Sequence, residues 1–475
     1  MSQVGIDAIH FSIPKLAVQI ADLATKRNIE FAKLNKGLGL NQMAILDSDE
    51  DAATLAAEAI YNLVTTYDIK LNEVGRIYLG TESALDGAKP TATYALEMLQ
   101  NKLGENLNHI DVVDLTFACI GGVDALQNSM DWIRANPARK AIVVASDQAK
   151  YELASSGEYT QGGGAVAMLL SSNPKLIAFD GTFGVSTSGA SDFFKPRRAF
   201  EKAELLKQAA QLLGVELDAD KADVLLQNTD SAFWGTQSKI IHQFSECPVF
   251  DGPYSNSCYQ ERIAEALESW EKRTEKNPLD WQKLIFHLPY AFQGRRMFTP
   301  IFVNWMIRDG RLAELEDAVG EKADSAENPS ADWIKKVSKS PLYKSFIAER
   351  IATGEKASSD IGNMYTASIF MSLISSLVEA AKADENLVEK PIGFFAYGSG
   401  SKAKSFEGTV QAEWKIQIEK INLFETLETR QIIDFETYEK LHREEVETPL
   451  TSKLFSFTNV SDKPNQEGYR FYKHV

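Results

Sequence analysis

A chain of 475 residues is long enough to bury a large core, and length alone suggests two or three domains. A composition 44% apolar and 24% charged, free of biased tracts, is that of a folded globular protein; a net charge of −16 argues against nucleic acid or an anionic membrane as the main partner. Three cysteines, Cys119, Cys247 and Cys258, form neither a disulfide framework nor a metal-ligand cluster, so a reducing compartment and no metal site are expected.

The first residues, Met-Ser-Gln-Val-Gly-Ile, lack the basic region and apolar stretch of a secretory signal. The most apolar helix-like stretch, Ser368 to Ala381, is too short and too interrupted by serines to span a bilayer. A cytoplasmic protein is expected. Strand and helix patterns then alternate along the chain, which predicts an α/β fold. Asp51 to Tyr67 reads as a helix and Arg76 to Glu82 as a buried strand ending in a carboxylate, within Gly80-Thr-Glu-Ser83. Lys89 to Leu103 reads as a helix and His109 to Leu115 as a short β-branched strand.

That strand hands over to a helix through Thr-Phe-Ala-Cys119-Ile-Gly-Gly122, and from Val123 the residues Val123, Leu126, Met130 and Ile133 recur at helical spacing. A cysteine at such a helix start sees the positive end of the macrodipole, which favours thiolate over thiol. Gly121 and Gly122 are expected to clear room for an acyl group and its carrier. Lys140 to Ser146 is another buried strand, and Thr160-Gln-Gly-Gly-Gly164 is a turn running into a strand that reaches Leu170.

The second half repeats the plan. Lys283 to His287 is a strand with a polar end; Gly362-Asn-Met-Tyr365 opens a helix with Ile369, Phe370, Leu373, Ile374, Leu377 and Val378 on one face; Ile392 to Gly400 is a strand running into glycines. The expected division is 1–178 and 179–475, with a helical cap over about 188–281 and a charged insertion over about 308–341. The tail, Phe455 to Val460 and Gly468 to Tyr472, reads as a hairpin.

Thiolate, carboxylate and histidine together are the parts of covalent acyl chemistry with proton transfer at carbon. Each residue has a plainer reading: Cys119 as a small buried hydrophobe, Glu82 as a helix cap, His287 as a satisfied core histidine, Asn363 as an N-cap. The runs Gly162 to Gly164 and Gly398 to Gly400 are not phosphate loops, since no GK[ST] follows, and suit close backbone packing around a narrow site.

The order of these motifs resembles the 3-hydroxy-3-methylglutaryl-CoA synthases, a branch of the thiolase-fold condensing enzymes. The resemblance rests on Val4-Gly-Ile6, Gly37-Leu-Gly39, Asp49-Glu-Asp51, Gly80-Thr-Glu-Ser83 and Ala118-Cys-Ile-Gly-Gly122. It continues through Tyr151 with Thr160-Gln-Gly, Asp192-Phe-Phe-Lys-Pro196, Asp251-Gly-x-x-Ser255 with Cys258-Tyr259, Phe286-His-x-Pro-Tyr290, Gly362-Asn-x-Tyr365 and Tyr397-Gly-Ser-Gly400. It implies a layered αβαβα fold of two pseudo-duplicated halves with helical insertions, in a homodimer. By the same resemblance, Cys119 takes an acetyl group from acetyl-CoA, Glu82 removes a methyl proton, and His287, with Asn363, binds the ketone of acetoacetyl-CoA. Tyr151, Thr160, Ser255 and Ser399 match positions near the acyl groups or the CoA arm. The implied product is 3-hydroxy-3-methylglutaryl-CoA, for isoprenoid synthesis through mevalonate.

Three positions depart from the family: Ile120 stands where Tyr is usual, Phe292 where Lys is usual, and Leu40 where Gln is usual. Arg296 keeps a second, usually basic position, and Lys33, Lys36, Arg295, Arg296 and Lys402 together form a candidate basic entrance for the CoA phosphates. The condensation calls for no metal, flavin or nucleotide cofactor, only CoA thioesters as substrates. Three alternatives stand beside this reading: a β-branching synthase with an acceptor on acyl carrier protein, which would use the same catalytic residues, a non-catalytic scaffold that binds acyl carriers, and a ketoacyl or chain-initiating synthase of the same fold. The last pairs Cys with His and Asn without the Glu82 context, and the joint presence of Glu82, Cys119, His287 and Asn363 counts against the scaffold.

Overall fold

The computed structural model describes residues 3–229, 231, 234 and 238–474. Its frame is a mixed sheet of nine strands: β1 (Val4–Ser12), β2 (Val74–Gly80), β3 (Asp111–Leu115), β4 (Lys140–Ala149), β5 (Gly162–Ser172), β6 (Ile177–Thr187), β7 (Lys283–Phe286), β8 (Pro391–Gly398) and β9 (Lys402–Val410). The strand order is β7-β8-β9-β6-β1-β5-β4-β2-β3. Strands β4, β5 and β8 are buried along almost their whole length, as strands covered on both faces must be.

The order contains a repeat. In the first half β2 pairs with β4 in parallel, β4 with β5 antiparallel, and β5 with β1 antiparallel. In the second half β7, β8, β9 and β6 follow each other with the same three directions. The halves join where Val4–Ile6 of β1 lies antiparallel to Ile177–Phe179 of β6. The expected boundary after residue 178 therefore falls inside β6, whose strand already belongs to the second half.

Helices complete the layers. α1 (Ala52–Tyr67) and α2 (Thr91–Leu103) cover the outer face of the first half, and α4 (Gly252–Thr274) and α5 (Thr299–Arg308) that of the second. Between the halves lie α3 (Gly121–Ala135) and α6 (Ser368–Lys382), sharing one core with inner-face residues such as Val143, Phe394 and Phe406. Every residue of α6 from Ser368 to Val378 is buried, which is what a helix apolar all round requires. Its serines are satisfied inside the protein: Ser375 donates to the Thr353 carbonyl at 2.6 Å, and Ser376 Oγ lies 3.2 Å from Thr353 Oγ1. The result is the layered αβαβα arrangement.

The chain divides into a large unit, residues 1–192 with 251–475, and a small one, Phe193–Phe250. The small unit pairs Arg197–Glu201 with Ile240–Phe244 and Phe193–Phe194 with Val249–Phe250, both antiparallel, and carries helices Lys202–Leu212 and Ala219–Gln227. Of the segment 188–281 expected as a helical cap, only Phe193–Phe250 forms a separate unit, and that unit carries strands as well as helices. The last part of the segment, α4, lies on β6 and β9 of the large unit, burying Ile263, Ala266, Leu267 and Trp270. The segment read as an insertion over 308–341 folds as helices Leu312–Val319 and Ala331–Val337, whose Leu315, Trp333 and Val337 join the core beside α5. The tail forms the expected hairpin, Phe455–Val460 with Arg470–His474. Among the described residues no helix is long and apolar enough to cross a membrane.

Candidate active site

Cys119 sits four residues past β3, in a turn closed by the Ile120 amide donating to the Phe117 carbonyl at 3.0 Å. Ile120 caps α3, so the thiol stands at the start of that helix as the sequence predicts. Ala118 enters the turn at φ +37°, a left-handed conformation that a side chain adopts only at a cost of about 1–3 kcal/mol. The strained turn presents Cys119 Sγ 3.5 Å from Glu82 Oε1.

Glu82 lies two residues beyond β2, and Asp147 on β4 holds it there. Asp147 Oδ1 accepts the Glu82 amide at 2.8 Å and the Thr81 hydroxyl at 2.9 Å. Its Oδ2 accepts the Thr366 amide at 2.9 Å and the Thr366 hydroxyl at 2.6 Å. One fully buried carboxylate therefore ties the Glu82 loop of the first half to the Asn363–Thr366 turn of the second.

That turn is built on Gly362 at φ +85°, where a Cβ would lie 1.9 Å from the Gln161 carbonyl oxygen. The Asn363 amide donates to the Thr160 carbonyl at 3.0 Å, and Asn363 Oδ1 accepts from the Tyr365 amide at 2.8 Å and from Ser368 Oγ at 3.2 Å. The capping role expected of an asparagine is thus filled by Oδ1, which leaves Nδ2 as the donor this side chain can offer a ligand. Tyr151 is buried beside Cys119 and Glu82, its hydroxyl bonded to Tyr365 and Thr160; burial and the two neighbouring acids push its pKa up.

His287 follows β7, where its amide donates to the Phe395 carbonyl of β8 at 2.9 Å and its carbonyl accepts from the Tyr259 hydroxyl at 3.0 Å. Strand β8 ends at Gly398, and a Cβ there would lie 2.7 Å from the Phe117 oxygen and 3.0 Å from the Ile120 nitrogen, so this strand end rests on the Cys119 turn. The imidazole is 1% exposed, and neither ring nitrogen has a hydrogen-bond partner among the described residues. An unsatisfied buried polar group costs about 1–3 kcal/mol, and both ring nitrogens are free to bond a ligand. Burial lowers its pKa to about 3, and His287 is neutral at ordinary pH.

This has a stability consequence. Unfolded, the histidine titrates near 6.5 and takes up a proton that the native state refuses. Native stability therefore falls as pH drops below about 6.5, by up to about 1.4 kcal/mol per pH unit from this one group. Denaturant melts of wild type and His287→Phe at pH 7 and pH 5 should show a smaller loss in the variant; equal losses would contradict the buried neutral imidazole.

Residues 1–175 match the family model "Hydroxymethylglutaryl-coenzyme A synthase N terminal", and residues 242–471 match the corresponding C-terminal model. The chain belongs to the hydroxymethylglutaryl-coenzyme A synthase family. It is 29% identical to the hydroxymethylglutaryl-CoA synthase of Haloferax volcanii over 455 residues, covering 93% of this chain and 92% of that one. It is 27% identical to the Enterococcus faecalis synthase over 451 residues, covering 95% and 94%. A solved structure of MvaS in complex with 3-hydroxy-3-methylglutaryl coenzyme A superposes with a TM-score of 0.77 at 28% identity, over 100% of this chain and 99% of that one. The curacin pathway HMG synthase shares the fold, with a TM-score of 0.70 at 20% identity over all of both chains.

Against other members of the synthase family, the substituted positions can now be placed. Phe292 packs on Gly39, where a Cβ would lie 2.6 Å from its ring, and stacks under the Arg295 guanidinium at 3.8 Å. Arg295 is committed to buried Glu355, with Nε 2.9 and 3.0 Å from its two oxygens, and Lys402 to Asp124 at 2.5 Å. The five-residue basic entrance expected from the sequence is therefore smaller. Lys33 and Lys36 are exposed on one short helix, Lys33 within 3.8 Å of Glu30, and Arg296 is exposed with its guanidinium 5.6 Å from the Tyr290 ring centre.

Gly121 and Gly122 also have a different use from the one expected. A Cβ on Gly121 would lie 2.6 Å from the Leu115 oxygen, and one on Gly80 would lie 2.2 Å from the Gly122 nitrogen. These glycines let α3 press against the ends of β2 and β3, next to the loop of Glu82.

Sequence reasoning assigned no role to Asp147 or Asp192. Asp192, fully buried, accepts from Ser255 Oγ at 3.3 Å, the Tyr397 hydroxyl at 2.7 Å and the Gly400 amide at 2.8 Å. It thereby gathers Ser255 and the turn carrying Ser399, which bonds to Tyr397. A buried aspartate in an apolar strand, as Asp147 is in β4, was the available signal.

Proposed function

We propose that the chain is a hydroxymethylglutaryl-CoA synthase that condenses acetyl-CoA with acetoacetyl-CoA, an acyl transfer in which the acyl group becomes an alkyl. The observation that carries the reading is the Cys119 thiol 3.5 Å from Glu82 at a helix start, on a turn against which β8, the strand that pairs with His287, ends; both His287 ring nitrogens lack a hydrogen-bond partner among the described residues. The names of the curated relatives support it, as does the 3-hydroxy-3-methylglutaryl coenzyme A held by MvaS.

Cys119 sulfur attacks the acetyl carbonyl carbon; its proton passes through Glu82 to the departing CoA thiol. The acetyl-Cys119 methyl group then lies beside Glu82, so deprotonation is effectively intramolecular. The resulting enolate attacks the acetoacetyl ketone. His287, neutral, donates a ring N–H to that oxygen as charge develops, and Asn363 Nδ2 offers a second donor. The proton count closes through Glu82, whose newly acquired proton is the one available to the alkoxide. Water cleaves the Cys119 thioester and releases 3-hydroxy-3-methylglutaryl-CoA with the thiol restored.

Tyr151 and Thr160 border the acyl end; Ser255 and Ser399 border the CoA arm. The reaction needs no cofactor beyond its CoA thioesters. A cytoplasmic homodimer serving isoprenoid synthesis completes the proposal. Product analysis after incubation with acetyl-CoA and acetoacetyl-CoA tests it: 3-hydroxy-3-methylglutaryl-CoA is expected, and turnover only with acetoacetyl carrier protein would establish the β-branching reaction instead.

With Arg295 and Lys402 neutralised internally, Arg296 carries most of the phosphate attraction on its side of the site. An arginine grips phosphate bidentately. Arg296→Ala should raise KM for acetoacetyl-CoA, flatten its salt dependence and leave acetylation of Cys119 nearly unchanged. Unaltered KM across a salt series would remove Arg296 from the binding site.

A further inference from the structure

We infer that a helix near the end of the chain, α7 (Phe435–His442), positions Tyr151 for the reaction through Tyr438 and His442. The inference rests on the reading above, in which Tyr151 borders the acyl end beside Cys119 and Glu82. Tyr151 lies just past β4, in an irregular excursion that rejoins the sheet at Gly162, so no strand ladder fixes it. Side chains do so instead. Its amide donates to Gln161 Oε1 at 2.8 Å, and its carbonyl accepts from His442 Nε2 at 2.7 Å.

Gln161 is itself oriented by α7. Its Nε2 donates to the Tyr438 hydroxyl at 2.6 Å, and that hydroxyl donates to Glu158 Oε1 at 3.0 Å. The Tyr438 hydroxyl has one proton, which the carboxylate takes, so it must accept from Gln161; this sets the amide with Oε1 toward Tyr151. Glu158, 1% exposed, is held by Arg27 through Nε and Nη2, each at 2.7 Å. A buried network with every member satisfied is rigid. Arg27 reaches α7 as well, with Nη2 2.7 Å from Glu439.

Tyr438 and His442 act through the Tyr151 backbone, by way of Gln161 Oε1 and the His442 bond to the Tyr151 carbonyl. They are positioning residues. Misplacing an acyl-site group by about 1 Å costs on the order of 10²-fold in rate. The expectation is a fall in the rate of condensation with little change in KM for either thioester.

Steady-state kinetics on full-length Tyr151→Phe, Tyr438→Phe, His442→Phe, His442→Gln and the double variant Tyr151→Phe/Tyr438→Phe test the inference. Tyr438→Phe removes one oxygen and keeps its ring packed on Phe435, so it reports even if His442→Phe folds poorly. Tyr438→Phe and His442→Phe should lower kcat by about 10- to 100-fold, His442→Gln, which keeps a donor, should recover most of the rate, and the double variant should be no slower than Tyr151→Phe alone. Wild-type kcat in Tyr438→Phe and His442→Phe beside a slow Tyr151→Phe overturns the inference and leaves the role of Tyr151 standing. Losses that multiply in the double variant overturn it too. A Tyr151→Phe enzyme at full rate overturns the role of Tyr151 itself.

Discussion

Glu82→Ala is expected to accept an acetyl group on Cys119 yet to condense about 10²–10⁴-fold more slowly than wild type, the usual loss on removing a positioned general base. It should also fail to exchange the acetyl methyl protons with solvent. The basis is distance and attachment: Glu82 Oε1 lies 3.5 Å from the sulfur that carries the acetyl group, while Asp147 and Thr81 fix the loop beneath it. Cys119→Ser should take up no acetyl mass from acetyl-CoA, and Cys247→Ser and Cys258→Ser should take up one acetyl as wild type does. Intact mass spectrometry and deuterium exchange into acetyl-enzyme check both statements. Acetylation surviving in Cys119→Ser, or condensation by Glu82→Ala near the wild-type rate, would dismantle the proposed chemistry.

Lys453→Met is expected to destabilise the fold by roughly 3–5 kcal/mol, the loss that follows when one partner of a buried ion pair is removed. The Lys453 side chain is 1% exposed, with Nζ 2.8 Å from Asp47 Oδ2 and bonded also to Asp49 Oδ1. Asp47 accepts in addition from the amides of Leu450 and Thr451, both at 2.9 Å to Oδ2. Burial works to raise the Asp47 pKa, but the bonds from Lys453, Leu450 and Ser48 outweigh it and hold the carboxyl below its ordinary value. In wild type this carboxylate therefore contributes stability that persists above its unfolded pKa and is lost as pH falls through its lower native pKa. Without Lys453 the native carboxyl titrates higher, so the gap between variant and wild type should narrow on acidification. Denaturant melts at pH 7 and at about pH 4, near the unfolded carboxyl's own pKa, measure both effects; a gap under about 1 kcal/mol at pH 7 would mean that the cluster is not a buried ion pair in solution.

The tail that carries Lys453 was legible in the sequence as a hairpin, but its purpose was not. Asp47 and Lys453 are 406 residues apart, and neither carries a local sign of the other. The same limit explains the strands that went unread. β9, Lys402–Val410, places Lys404 and Glu407 inside a buried strand, where Lys404 meets Asp124 at 2.7 Å and Glu407 meets Lys276 and the Trp281 indole. Charges at those positions broke the apolar pattern that marks a strand, because their partners come from distant segments. The basic entrance was overestimated for the mirror-image reason: Arg295 and Lys402 look free until Glu355 and Asp124 are folded against them.

What the sequence determined by itself was everything that depends on near neighbours. Short buried or β-branched runs marked β2, β3 and β4, a period of 3.6 residues marked α3 and α6, and the strand-to-helix handover placed Cys119 at the positive end of a helix. Tertiary structure alone decided how these pieces meet. It brought Glu82 to the thiol by pressing Gly80 against Gly122, joined the halves through Asp147 and Thr366, and left the His287 ring buried, neutral and without a hydrogen-bond partner among the described residues. The reason is physical: propensity and periodicity are written within a few residues, whereas burial, desolvation and the pairing of charges exist only after segments hundreds of residues apart have packed together.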